Sequence, residues 1–187
     1  MTANKHFKRH VRERARRTEE SYTAALRHLR RNDAREQHMQ WQRVEKPDFG
    51  YAAHVPQDWE ELPADLTNSP LETARFAHPR DRRHSVIVFR GLPSPGLSAV
   101  RVAERALGAL ERAGFGDFQI TEAEVAGLAG ARLDCAKHVA GRTWAVREFF
   151  AIHDDVRFVL GCGSSVPDED EPLFTQMAER FEILSLA

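Results

Sequence analysis

Residues 118–161 read FQITEAEVAGLAGARLDCAKHVAGRTWAVREFFAIHDDVRFVLG, and the punctuation of this stretch decides the fold. Four runs rich in apolar and β-branched residues, 118–125, 131–138, 143–153 and 156–161, are separated by Gly127 and Gly130, by Ala140-Gly141 and by Asp154-Asp155. Separators this short cannot hold a crossover helix, so consecutive strands must turn back on each other as hairpins. An antiparallel meander is therefore expected. With side chains alternating along a strand, Leu133 and Cys135 share one face, as do Val156, Phe158, Leu160 and Cys162.

Moving outward, the spacing of Val100, Ala103, Leu107 and Leu110 predicts a helix over 98–113. Ser98 is placed to cap it, Leu97 and Val102 to form a hydrophobic staple, and Gly114 to end it. On the C-terminal side, Leu173, Phe174, Met177, Phe181 and Leu184 predict an amphipathic helix over 168–184. Asp168, Asp170 and Glu171 complement the positive end of its dipole. On the N-terminal side, 84–90 is apolar on both faces and reads as a central strand. Residues 75–77 read as a short strand, and 51–55 as a strand before the turn at Pro56-Gln57-Asp58-Trp59. The fold class expected is α+β: an antiparallel sheet of about six to seven strands with two packing helices.

The first residues have a different character. Phe7, Val11 and Ala15 recur every four residues, so the chain from Lys5 to Thr18 reads as a helix. Ser21 is a plausible N-cap for a second helix carrying Tyr22, Ala25, Leu26 and Leu29. The expected organisation is a basic helical arm over 1–31, a linker over 32–48 and an α+β domain over 49–187.

The chain of 187 residues is long enough for one domain with a real core plus an appendage. Hydrophobic residues make up 42% and charged residues 29%, ordinary values for a globular protein. No apolar run approaches membrane-spanning length, and MTANKHFKRHVRERARR has no apolar core of the signal-peptide kind. Two cysteines, Cys135 and Cys162, are too few for a disulfide framework. A cytoplasmic protein is expected.

A formal net charge of -1 hides a split. Residues 1–46 hold 13 Lys and Arg against 6 acids, which leaves 14 basic against 22 acidic groups in the remainder. The arm is thus at +7 and the rest at -8. Such asymmetry points to a polyanionic partner for the arm, or to attraction between the two parts.

Four features together resemble the PsbP/LpqN-like fold. They are the opening Val55-Pro56-Gln57-Asp58-Trp59, the helix ending Ala113-Gly114-Phe115, Gly130-Ala131 at the start of a strand, and Phe158-Val159-Leu160-Gly161-Cys162 before a final helix with Phe181. That group includes the extrinsic photosystem II subunit PsbP, a yeast Ran-binding protein and actinobacterial LpqN-type proteins. The resemblance covers about three quarters of the chain. It implies a non-enzymatic binding or assembly protein, with no shared catalytic residue to carry over. Separately, residues 15–26 resemble the helix–turn–helix part of VapB-type antitoxins, with Glu19 where that turn usually has glycine.

The candidate polyanion- or partner-binding residues are Lys5, Lys8, Arg9, Arg12, Arg16, Arg17, Arg27, Arg30 and Arg31. They suit phosphate contacts, and equally a solvated helix face that packs on an acidic surface or supports a homo-oligomer. His6 and His10 have metal-ligand spacing but lack a third ligand, and Lys8 and Arg9 between them repel a cation. Cys135 and Cys162 read as core residues rather than a redox pair. Cys135 and His138, three apart on a strand, face opposite ways. His153-Asp154-Asp155 and 168–171 read as a turn and a helix start, with cation binding the less favoured alternative. Trp59, Trp144, Phe149 and Phe150 read as core, with a concave apolar sheet surface as the alternative. No cofactor, metal or catalytic residue is assigned. The expected function is a binding or adaptor protein that engages a protein partner, with nucleic-acid association through the arm as the alternative.

Overall fold

A computed structural model of the chain describes residues 8, 9, 11, 12, 15, 16, 21–27, 39–92 and 95–184. It divides the chain into two compact units, Met1–Gln40 and Trp41–Ala187.

In the first unit the described residues between 8 and 16 are helical, and so are 22–27. Ser21 caps the second helical segment as its sequence predicts: the Ala24 amide donates to Ser21 Oγ at 3.2 Å and the Ala25 amide to the Ser21 carbonyl at 3.0 Å. Val11 and Ala25 are buried, whereas Tyr22, counted above in the apolar stripe, is exposed.

The second unit is built on a seven-stranded antiparallel sheet. In chain order its elements are β1 (Trp41–Lys46), a 3-10 turn (Pro47–Phe49), β2 (Tyr51–Pro56), β3 (Glu60–Leu62), β4 (Glu72–Ala77), β5 (His84–Arg90) and α1 (Ala99–Arg112). There follow β6 (Gly116–Val125), β7 (Leu128–Val139), β8 (Arg142–His153), β9 (Val156–Ser164), α2 (Pro167–Arg180) and β10 (Glu182–Ile183). The large sheet has the order β3-β4-β5-β9-β8-β7-β6, and β1-β2-β10 form a separate three-stranded sheet. The expected meander is β6 to β9, each strand antiparallel to the next.

The stretch expected as linker over 32–48 contains a strand. Trp41–Lys46 pairs with β2 along its whole length, from Trp41 opposite Pro56 to Lys46 opposite Tyr51. Gln42 Nε2 reaches past the strand to donate to the Trp59 carbonyl at 2.6 Å, and the Arg180 guanidinium lies 5.0 Å from the Trp41 ring centre. The domain therefore begins at residue 41 rather than 49. The final helix also ends earlier than its apolar stripe implies. The chain becomes extended at Phe181, which places that ring 5.3 Å from Tyr51 and 6.4 Å from Phe158. Glu182 and Ile183 then pair with Ala52 and Tyr51.

The two faces of the large sheet are covered differently. Packed on one face, α1 buries Ala99, Val102 and Ala103 against Ala131, Leu133, Phe150 and Val159; burying a side chain of the size of Val102, Leu133 or Phe150 contributes about 1.5–3 kcal/mol. Ser98 caps this helix through the Arg101 amide at 3.3 Å. Gly114 takes a left-handed φ of 86° at its far end. Residues of opposite parity, such as Phe158 and Ser164, meet Phe181 and the α2 residue Asp170 on the other face.

Candidate functional site

Of the nine arm cations singled out from the sequence, Lys8, Arg9, Arg12, Arg16 and Arg27 are described, and all five side chains are exposed. Lys5, Arg17, Arg30 and Arg31, together with His6 and His10, lie outside the described residues.

Within the domain the structure separates most of the groups whose combination would suggest chemistry. Cys135 and Cys162 are both buried and unpaired. Cys135 shares a face with Gly163 through Val146, so Cys162 points to the opposite face of the sheet, two strands away. Burial pushes the Cys135 thiol up to about 12 and raises Cys162 as well, which leaves both as inert core thiols. His138 bonds Thr143 and Asp117, away from Cys135. Asp154 and Asp155 occupy left-handed turn positions between β8 and β9, and no group of three metal-ligating side chains occurs among the described residues. The four aromatics do not form one surface either. Trp59, Phe149 and Phe150 are buried, with Phe149 and Phe150 on opposite faces, and Trp59 stacks on His84 at 5.0 Å.

Three polar arrangements went unnoticed in the sequence. His84, Ser164 and Asp170 are each about 1% exposed. His84 Nδ1 lies 3.1 Å from Asp170 Oδ2, and Ser164 Oγ donates to the same oxygen at 2.7 Å while accepting from the Val166 amide at 2.8 Å. The serine and imidazole meet the carboxylate and not each other, so no nucleophile–base pair is formed. The cluster instead ties the first turn of α2 to β5 and β9. On β8, the half-buried Glu148 lies opposite Gly161, close to the Phe89 ring. The Trp144 indole packs against Gly163, where an added Cβ would come within 2.6 Å of ring atom Cζ2. Desolvation pushes the Glu148 carboxyl up to about 7, with Arg157 opposing the shift.

The third arrangement is open. A cavity of about 630 Å³ lies between the start of α1 and the β6–β7 hairpin, lined by Ser98, Val100, Glu122, Glu124, Leu128 and Ala129 among others. Glu122 and Glu124 are exposed and, two apart on a strand, share a face. Across the cavity the first turn of α1 carries no acid of its own. Its remaining lining is small, namely Ala99, Ala123, Gly127 and Gly130. The hairpin is pinned where the Ala126 amide donates to the Ala178 carbonyl of α2 at 3.1 Å. No sequence signal marks this place beyond the alternation of Glu122 and Glu124.

An antiparallel sheet with one helix on each face and a small accessory sheet defines the class: an α+β domain of the PsbP/LpqN-like fold. No family model and no curated protein sequence matches the chain. Among solved structures, it is similar to cyanobacterial PsbP from Synechocystis sp. PCC 6803, with a TM-score of 0.62 and 14% identity over 78% of this chain and 93% of that one. The Saccharomyces cerevisiae Ran-binding protein Mog1p gives a TM-score of 0.56 and 12% identity over 78% and 96% of the two chains. LpqN of Mycobacterium tuberculosis, involved in cell envelope biogenesis, gives 0.50 and 19% over 80% and 94%. These likenesses establish the fold.

Proposed function

We propose that this chain is a non-enzymatic binding or adaptor protein of the cytoplasm. Its α+β domain engages a protein partner, and its basic arm, through Lys5, Lys8, Arg9, Arg12, Arg16, Arg17, Arg27, Arg30 and Arg31, docks on an acidic one. The observation that carries this reading is the charge split: a segment at +7 and a remainder at -8 in one chain, with every described arm cation in the set turned to solvent. Opposed charges of this size steer partners of opposite sign to the two parts. The shared fold of a protein that binds Ran lends support.

A second reading, nucleic-acid association through the arm, is favoured by those same exposed cations on helical segments, which suit phosphate contacts. Affinity capture with the full chain, from lysate with and without nuclease, separates the two. The adaptor reading expects a stoichiometric protein that survives nuclease. The alternative expects capture that nuclease abolishes, that falls with added salt, and that is lost when Arg9, Arg12, Arg16 and Arg17 become Ala. Recovery of no stoichiometric partner under either condition would overturn the adaptor reading.

A further inference from the structure

Strand β6 ends the large sheet, and its outer side pairs with no other strand among the described residues. An irregularity between Gly116 and Gln119 interrupts its first residues, and from Gln119 to Val125 it is a regular edge, longer than the opposite edge, β3, of three residues. Long edges invite pairing by another chain unless something blocks them.

The hairpin geometry fixes which groups this edge offers. Val125 and Leu128 close a two-residue loop of Ala126 and Gly127, both left-handed with φ of 55° and 71°, the signature of a type I′ turn. In such a hairpin the closing pair exchanges both main-chain hydrogen bonds, and bonded and non-bonded pairs then alternate. Ala123 opposite Gly130 and Thr121 opposite Arg132 are therefore bonded pairs, while Glu124 opposite Ala129 and Glu122 opposite Ala131 are not. The amides and carbonyls of Glu122 and Glu124 consequently point outward, away from β7. The side chains of those same two residues line the cavity at the start of α1. Main-chain pairing groups, two glutamates whose backbones lie about 6.8 Å apart along the strand and a recess for side chains thus coincide on one edge.

We propose that the β6 edge binds an extended segment of a partner protein carrying Lys or Arg at alternate positions, added to the sheet as an eighth strand. This deepens the adaptor reading and rests on it. Main-chain bonds supply affinity and the alternating cations supply selection. A cation on the cavity side of the added strand meets Glu122, and one two residues along meets Glu124. The same carboxylates reject a second copy of this chain, because antiparallel edge-to-edge pairing would set glutamates against glutamates. Glu122 and Glu124 therefore protect the edge from self-association while leaving it open to a basic strand.

The test uses the full chain and a blocked decapeptide of alternating Lys and Val, followed by amide chemical shifts and hydrogen exchange. The expected result is saturable binding, with shifts confined to residues 98–100 and 120–125 and slowed exchange at Glu122 and Glu124. The double variant Glu122→Lys/Glu124→Lys should lose at least tenfold in affinity and take up an alternating Glu and Val peptide instead. Should that variant not fold, a Lys and Val peptide methylated on the amides that face the strand must fail to bind the natural chain. Shifts mapping elsewhere, equal binding of the methylated peptide, or no binding at millimolar peptide each overturn the proposal. Concentration-dependent dimerisation through β6 would overturn it too. If a cellular partner is captured equally by the natural chain and the folded double variant, the adaptor reading stands and the assignment to β6 falls. If neither captures a partner, the adaptor reading fails, and the peptide titration still decides the chemistry of the edge.

Discussion

Replacing Glu148 with Gln should stabilise the protein in a way that depends on pH. The carboxyl lies half-buried on β8, and desolvation pushes it from an ordinary 4.5 to about 7. A carboxyl raised in the folded state keeps its proton longer than it does in the unfolded chain. Its neutral form therefore leaves stability intact below 4.5. Stability then declines as pH rises from 4.5 to about 7 and stays reduced beyond that. At about 1.4 kcal/mol per pH unit the full interval amounts to about 3 kcal/mol; solvent reaching the partly exposed side chain reduces the expected effect to about 1–2 kcal/mol. Glutamine has nearly the shape of the protonated acid and never ionises. Urea unfolding at about pH 5 should find the two proteins within about 0.5 kcal/mol. At about pH 8 the variant should be more stable by about 1–2 kcal/mol, with an unchanged urea dependence. A difference of the same size at both pH values would refute the reasoning, because a packing effect does not titrate.

Gly130→Ala should be among the most damaging single changes, since an added Cβ would sit 2.5 Å from the Phe150 carbonyl oxygen and 3.2 Å from that of Ala123. Two backbones cannot yield as a side chain can, so the expected loss is about 2–3 kcal/mol, and an unchanged thermal midpoint would contradict it. Ser98→Ala removes the α1 cap and should cost about 1 kcal/mol, while Ser98→Asp should recover most of it in the same urea assay. Glu182 bonds Arg43 and His54, contacts that hold its carboxyl down at about 2. Its contribution is thus present above the ordinary 4.5 and is lost as pH falls towards about 2. Glu182→Gln should flatten that part of the acid-unfolding profile, and an identical profile would show the trio to be energetically silent.

The parts of the fold legible in the sequence were those with local signals. Short turn residues announced the β6–β9 meander, and Ser98 and Gly114 bounded α1. What failed depended on distant partners. Trp41–Lys46 has only Trp41 and Val44 as large apolar residues, because it pairs in a small sheet with one polar side, so its pattern reads as linker. Phe181 continues the helical stripe of α2 in sequence, yet its ring is drawn out of the helix by Tyr51 and Phe158. Glu148 was hidden beside Phe149 and Phe150, since nothing local tells which face a carboxylate takes or how dry that face is. The β6 edge is a property of strand order, which sequence spacing does not encode.

The position of β9 bears on how the molecule is made. It is the last strand of the large sheet in the chain, yet it lies fourth of seven across it, between β5 and β8. A nascent chain emerging from the ribosome N-terminus first therefore carries two unconnected three-stranded pieces, β3-β4-β5 and β6-β7-β8, until residues 156–164 appear. Each piece presents a provisional open edge, at β5 and at β8, for the time it takes to synthesise the intervening segment. The edge of β5 that will meet β9 thus stays open while more than 60 residues are added, or about 3–12 s at ordinary elongation rates. Chaperone dependence during translation is expected to concentrate on that interval and to end once β9 closes the sheet.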